Sequence, residues 1–431
     1  VNSIFLALEQ LRTQLSQALP AAPGIRHFDV SFPLNDAFDP LAWLGEQQCY
    51  PQFYWQQRNG DEELAALGAV NQFSSLALAS QFLREQNAAQ DTRVCGLNAF
   101  NPEQGSLFLP RLLWRRTAGN ATLRLQLWSD RSLVEDARVA QDFLQRLRPA
   151  RSIRPLSVHV EHETHQPQQA EWLKLIRRAT ETIARGDFEK VVLARATDLQ
   201  FTQRVNPVAL MAASRALNLH CYHFCMVFDA RNAFLGSTPE RLWRRRGKLL
   251  RTEALAGTVA SHTDDSQAQR LGEWLLNDDK NQRENMLVVE DICQRLQHST
   301  QTLEVLPPQV VRLRKVQHLR RCIWTELKQA DDEQCLLMLQ PTAAVAGLPR
   351  QPAREFIQKV EPFNREWYAG SAGYLSPEQS EFCVALRSAR VQEDSLRLYA
   401  GAGIVSGSDP EQEWQEIENK AAGLRSLLLR D

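Results

Sequence analysis

The chain has 431 residues, with 50 basic and 51 acidic side chains and a formal net charge of −1. So even a balance offers no field for a polyanion and argues against nucleic acid as a partner, while 43% hydrophobic residues suffice for a sizeable core. Eight cysteines are scattered without a CxxC pair, and no apolar run reaches the length of a membrane span, which fits buried thiols of a reducing compartment and excludes a disulfide framework.

At the N-terminus no basic region precedes an apolar core, so no secretory signal is expected, and the expectation is a soluble, cytoplasmic protein. Ile4, Leu8, Leu11 and Leu15 recur at helical spacing. Strand-like runs follow at Ile25 to Phe32, Gln52 to Gln57, Leu64 to Val70, Val94 to Phe100, Leu107 to Trp114 and Ala121 to Trp128. Turn residues separate some of them, and Asn59-Gly60 is a good hairpin signal. Helical patterns interrupt near Ser74 to Glu85 and Ser132 to Leu147. The order favours antiparallel meanders over regular βα alternation.

Pro149 to Gln169 is polar, carries three prolines and is the best internal boundary. Its His159, His162 and His165 match no standard zinc spacing. His220 and His223 read as ordinary strand residues. A helix then carries Trp172, Leu175, Ile176, Ala179 and Ile183 on one stripe and ends at Gly186.

The strand Lys190-Val-Val-Leu-Ala-Arg195 places Lys190 on the face of Val192 and Ala194. Small apolar neighbours desolvate an amine, and desolvation favours its neutral form, so Lys190 is a candidate general base. An edge-strand lysine that deters aggregation would read the same way. In Phe234-Leu-Gly-Ser-Thr-Pro-Glu240 a strand ends at Gly236, and a turn carries Glu240, a position usual for a surface or helix-start charge. Gly257 and Thr258 offer backbone N–H and hydroxyl groups to a carboxylate, on a weak AGT signal. Ser266 to Gln297 reads as helical, with Lys280, Glu284, Leu287, Val288 and Asp291 on one face. A Lys280–Glu284 pair is the plain account of that face.

Phe382 to Val391 alternates as a strand containing Arg387, suited to a carboxylate or to a cross-strand ion pair. Tyr399 to Lys420 reads as strand, glycine turn and helix. Gly401, Gly403 and Gly407 punctuate the turn, and Asp409, Pro410 and Gln412 fit N-cap, first helical position and N3. Glu413, Glu416 and Lys420 share one helical face beside the apolar stripe of Ile417, Ala421 and Leu424. That face is either a solvated one with an ion pair or a metal and anion site.

The motifs KVVLAR, GSTPERL, AGT, KNQRENM, EWYAGSAGYL, ALR and GAGIVSGSDPEQEWQEIENK occur in the order of the chorismate-utilising enzymes. The chain resembles that family over residues 150 to 431 and more loosely before. Within it the likeness is greatest to isochorismate synthases of the menaquinone pathway. The resemblance implies one large α/β (α+β) domain of layered, mostly antiparallel β-sheets surrounded by helices. Residues 1–150 would be its N-terminal β-rich part and 151–431 the chorismate-binding catalytic part. It also implies chorismate as substrate, Mg²⁺ as cofactor, no membrane or nucleic-acid partner, no glutaminase subunit, and a monomer.

Carried over residue by residue, Glu284 and Glu416 match Mg²⁺ carboxylates, with Glu413 acting through a bound water. Lys190 matches the base that activates water for attack at ring C2. Glu240 matches the acid that protonates the departing C4 hydroxyl. Tyr368, Arg387, Gly401 and Gly403 match the pocket for the enolpyruvyl carboxylate, and Gly257, Thr258 and Lys420 complete the carboxylate contacts. Relatives that add ammonia usually have glutamine where Lys190 stands, and one amidating branch has a lysine in place of Ala256, so water is the expected nucleophile. The family often has histidine where Gln340 and Asn285 stand. Salicylate synthase, which goes on to release pyruvate, anthranilate synthase and a silent chorismate-binding protein are the alternatives.

Overall fold

The alternating runs form strands close to where the pattern puts them. The structure, a computed structural model, describes residues 3–34 and 37–428. These residues hold twenty strands and eleven helices in one mixed α/β domain. Each strand pairing is antiparallel. Asn59-Gly60 turns the chain between strands Gln52–Gln56 and Glu62–Phe73, with Gly60 at φ +77°. That left-handed backbone is one glycine adopts without steric cost.

The pairings run as one ribbon. From Val316–Leu327 it passes through Leu249–Ala260, Arg241–Arg246, Gln379–Val384 and Ser371–Leu375 to Val94–Asn98. It continues through Gly105–Thr117, Glu62–Phe73 and Gln52–Gln56 to Tyr222–Val227. Asn232–Thr238, Ser388–Gln392, Ser395–Ile404, Lys190–Phe201 and Val160–Gln166 follow. Strands from the early part of the chain therefore lie mid-ribbon, bonded on both flanks to later ones.

Two hydrophobic cores flank the ribbon. Phe53 and Trp55 enter one, with Leu193, Phe224 and Phe382. Tyr54 enters the other, with Leu67, Cys225 and Leu398. Successive strand side chains point to opposite faces, so a strand between two cores must be apolar on both. Helices Gln169–Ala184 and Asp279–Leu296 cover the first core through Trp172, Ile176, Val288 and Ile292. Ser3–Leu15 and Pro207–Leu217 cover the second through Ile4, Leu11, Leu210 and Met211. The helix Pro410–Leu428 serves both, with Ile417 in one core and Leu424 in the other. Among the described residues no helix is long and apolar enough to cross a membrane.

Local details differ from the sequence reading. The polar stretch after Pro149 holds a strand, Val160–Gln166, whose His165 meets the Thr197 hydroxyl at 3.0 Å. His220 is in a turn at φ +62°, before the strand that holds His223. The helical stretch from Ser266 is two helices, Asp265–Asn277 and Asp279–Leu296. Asp278 breaks them and caps the second by accepting the Asn281 N–H at 3.1 Å. The short helix Pro40–Glu46, capped by Asp39, lacked the length for a periodic signal.

Candidate active site

A cavity of about 1200 Å³ is walled by strands Lys190–Phe201, Leu249–Ala260 and Ser395–Ile404 and by helices Asp279–Leu296 and Pro410–Leu428. Lys190 and Glu240 both line it, and each is only 3% exposed. Lys190 shares its strand face with Val192 and Ala194, all buried. Its Nζ stands 3.7 Å from Glu284 Oε1.

Glu240 is not the surface residue its turn suggested. The strand continues to Thr238, past Gly236, and Pro239 and Glu240 bridge to Arg241–Arg246 inside the molecule. The Glu240 N–H donates to Thr238 Oγ1 at 3.3 Å, and its carbonyl accepts from the Val384 N–H at 3.0 Å. Burial, then the Glu253 charge, push its carboxyl up to about 8, against the pull of Lys190 and Arg58. At neutral pH such a group keeps its proton and can give it away.

Glu284, Glu413 and Glu416 line the same cavity from two helices. Glu284 meets Lys190, where the sequence suggested Lys280. Burial pushes Glu416 up, but Lys420, 3.0 Å away, reverses this and holds it below the ordinary range. Burial and the Glu416 charge push Glu413 up to about 8. Glu413 Oε2 is buried without a hydrogen-bond partner. Three carboxyl groups share this wall with two lysines, and the orphaned Glu413 oxygen fits the addition of a divalent cation. Among the described residues no three His, Cys, Asp or Glu side chains form a ready ion cage.

Opposite lies a cationic and aromatic end. Arg387 does not sit within a strand. It occupies the break between Gln379–Val384 and Ser388–Gln392 at φ +47°, where the chain changes strand partners. Burial holds its guanidinium below its ordinary range. Tyr368 stacks on Tyr399 with ring centroids 4.9 Å apart. Gly401 and Gly403 lie inside the strand Ser395–Ile404, and only Gly407 is in the turn. Their smallness is used for close approach: a Cβ on Gly401 would stand 2.7 Å from the Tyr368 hydroxyl, and one on Gly403 3.1 Å from Lys190 Cε. Lys420 Nζ donates to the Gly401 carbonyl at 2.8 Å.

Gly257, at φ +99°, forms a bulge in its strand, and the Thr258 N–H donates to Asn281 Oδ1 at 3.2 Å. That N–H is thus already used, which corrects the expectation that it is offered to a ligand. Thr258 Oγ1 lies 3.1 Å from His318 Nδ1, and His318 Nε2 lies 3.0 Å from Arg387 Nη2. Arginine only donates, so His318 accepts at Nε2 and is neutral. Burial and the Arg387 and Lys420 charges hold it well below its ordinary range. Sequence reasoning passed over His318, since one histidine in an alternating strand gives no sign of the face it takes.

Every nominated site residue therefore lines one cavity: Lys190, Glu240, Gly257, Thr258, Glu284, Tyr368, Arg387, Gly401, Gly403, Glu413, Glu416 and Lys420. The family described as chorismate binding enzyme matches residues 24–429.

The chain belongs to the chorismate-binding enzyme family.

It is 66% identical over 428 residues to the isochorismate synthase MenF of Escherichia coli (strain K12), covering 99% of both chains. The isochorismate synthase MenF of Haemophilus influenzae is 38% identical over 431 residues, 99% of this chain and 97% of that one. The solved structure of MenF, the menaquinone-specific isochorismate synthase from Escherichia coli, matches with a TM-score of 0.98 at 66% identity, covering 99% of this chain and 100% of that chain. Anthranilate synthase component I from Streptococcus pneumoniae shares the fold, at a TM-score of 0.69 and 19% identity over 98% of this chain and 97% of that one.

In this chorismate-binding enzyme Gln340 and Asn285 both have structural partners. Gln340 donates to the Ala99 carbonyl at 2.6 Å and accepts from the Ser371 hydroxyl at 2.6 Å. Asn285 donates to the carbonyls of Ala254, Ala256 and Leu319, tying the helix that carries Glu284 to two strands.

Proposed function

We propose that the protein isomerises chorismate to isochorismate, feeding menaquinone biosynthesis. The observation that carries this reading is the buried pair, Lys190 and Glu240, on one cavity, with Glu240 held protonated at neutral pH. A base and an acid are what replacing one hydroxyl by water requires. Lys190 takes a proton from water as its oxygen bonds to ring C2. The two ring double bonds shift, the C4–O bond breaks, and Glu240 gives its proton to the leaving hydroxyl. Each such group contributes about 10²–10⁴-fold.

Arg387, Tyr368 and the strand at Gly401 and Gly403 hold the enolpyruvyl carboxylate, with Gly257, Lys420 and the Thr258 hydroxyl beside them. Glu284 and Glu416 would hold Mg²⁺, with Glu413 acting through a water. When bound, the ion supplies positive charge for the ring carboxylate. The relatives' printed names support the reaction, and Ala256 at the cavity wall gives no amine nucleophile.

Isochorismate formation by Lys190→Ala and Glu240→Gln variants tests the roles. Each is expected to lose at least about 10²-fold in turnover at pH 7.5. Near wild-type turnover in either removes that residue from the chemistry. Pyruvate assayed in the same reaction is expected to stay at background, and its release in step with product would indicate a salicylate synthase.

A further inference from the structure

Glu240 is held by two residues that neither line the cavity nor belong to the proposed reaction. Arg58 stands at the Asn59-Gly60 hairpin, in the early part of the chain. Its Nη2 donates to Glu253 Oε1 at 2.7 Å, and its Nη1 to Glu253 Oε2 at 2.9 Å. Nη1 also donates to the Pro239 carbonyl at 2.9 Å, on the residue before Glu240. Glu253 Oε2 accepts the Arg241 N–H at 3.3 Å, on the residue after it. The pair's side chains are 8% and 1% exposed.

An ion pair this buried seldom repays its desolvation in stability, so its presence asks for another account. The charged groups acting on Glu240 are Glu253 from the strand Leu249–Ala260, Lys190 from Lys190–Phe201, and Arg58 from the hairpin. Around the pair stand Tyr222 and Glu381, acting on Arg58, and Arg241 and Arg320, acting on Glu253. Arg241 Nε donates to the Tyr222 hydroxyl at 3.0 Å, and that hydroxyl donates to Glu381 Oε2 at 2.5 Å. The Arg241, Tyr222 and Glu381 side chains bond to one another, and both Glu253 oxygens take their side-chain hydrogen bonds from Arg58. Of the charges on Glu240, Glu253 acts most strongly and keeps its proton on.

We propose that the Arg58–Glu253 pair is the positioning device of Glu240, gripping the backbone on both sides of it and setting an anion behind its carboxyl. The inference rests on the reading of Glu240 as the general acid, and it gives the early part of the chain a task in the reaction. Glu253 and Arg58 act through Glu240 and touch no substrate.

The test follows the protonated Glu240 carboxyl by infrared spectroscopy against pH, assigned by its loss in Glu240→Gln. In Glu253→Gln the anion is gone and Arg58 is left bare, so the Glu240 acid constant is expected to rise at least tenfold, about one pH unit. The alkaline limb of kcat/KM should move down with it. Arg58→Met combined with Glu253→Gln removes both charges and should return the limb part of the way. Should Glu253→Gln fail to fold, Arg58→Lys keeps the charge but cannot bridge Pro239 and both Glu253 oxygens. It is expected to lower kcat with the limb in place. An unmoved Glu240 titration in Glu253→Gln, or wild-type kcat in Arg58→Lys, overturns the proposal. Wild-type turnover in Glu240→Gln would instead overturn the reading beneath it, because the infrared titration does not depend on turnover.

Discussion

Glu240 costs the fold something in return for its chemistry. Burial and Glu253 raise its carboxyl from an ordinary 4.5 to about 8. Below pH 4.5 both folded and unfolded chains hold the proton, and this group's contribution to stability is complete. As pH rises the unfolded chain ionises first, and the contribution is lost progressively between pH 4.5 and about 8, at up to about 1.4 kcal/mol per pH unit. Glu240→Gln has no proton to lose. Relative to wild type it is expected to gain on the order of 4 kcal/mol between pH 4.5 and pH 8, read by urea unfolding at each pH. A difference that stays constant with pH would deny the raised carboxyl. At this scale the sequence was partly legible. Lys190 could be singled out from its small apolar neighbours on the strand. Glu240 could not, because a turn glutamate is usually solvated and its burial depends on strands from elsewhere in the chain. His318 and Arg387 depended on a face and a strand break that no local pattern marks.

The helix Pro410–Leu428 shows how one element sets the site. Asp409 Oδ2 accepts the Gln412 N–H at 3.1 Å, as the Asp-Pro-x-Gln spacing predicts. The start of the helix fixes where Glu413 and Glu416 point, while Ile417 and Ala421 anchor it in the core. Asp409→Ala is expected to cost about 1 kcal/mol of stability. If Mg²⁺ binds as proposed, the substitution should also raise several-fold the Mg²⁺ concentration for half-maximal turnover, with kcat unchanged at saturating Mg²⁺. An unaltered Mg²⁺ requirement would separate the cap from the metal face. This helix was legible because cap, stripe and charged face are local. The break at Asp278 was missed because no Gly or Pro marks the junction.

For the whole molecule, alternation tells which face a residue takes and not which strand lies beside it. Gln52–Gln56 pairs with Tyr222–Val227, and Val94–Asn98 with Ser371–Leu375, across most of the chain. That ribbon order was not legible from the residues alone; the layered antiparallel domain came from the resemblance. The ribbon brings a strand lysine, a turn glutamate and three glutamates from two helices to one cavity. The central claim is that this cavity adds water to the ring at C2 and expels the C4 hydroxyl. The direct measurement is the mass of the product formed from chorismate in ¹⁸O-enriched water, after a single passage through the enzyme. One ¹⁸O per isochorismate, at the C2 hydroxyl, is the result expected; unlabelled isochorismate, its hydroxyl moved within the ring, would contradict the account.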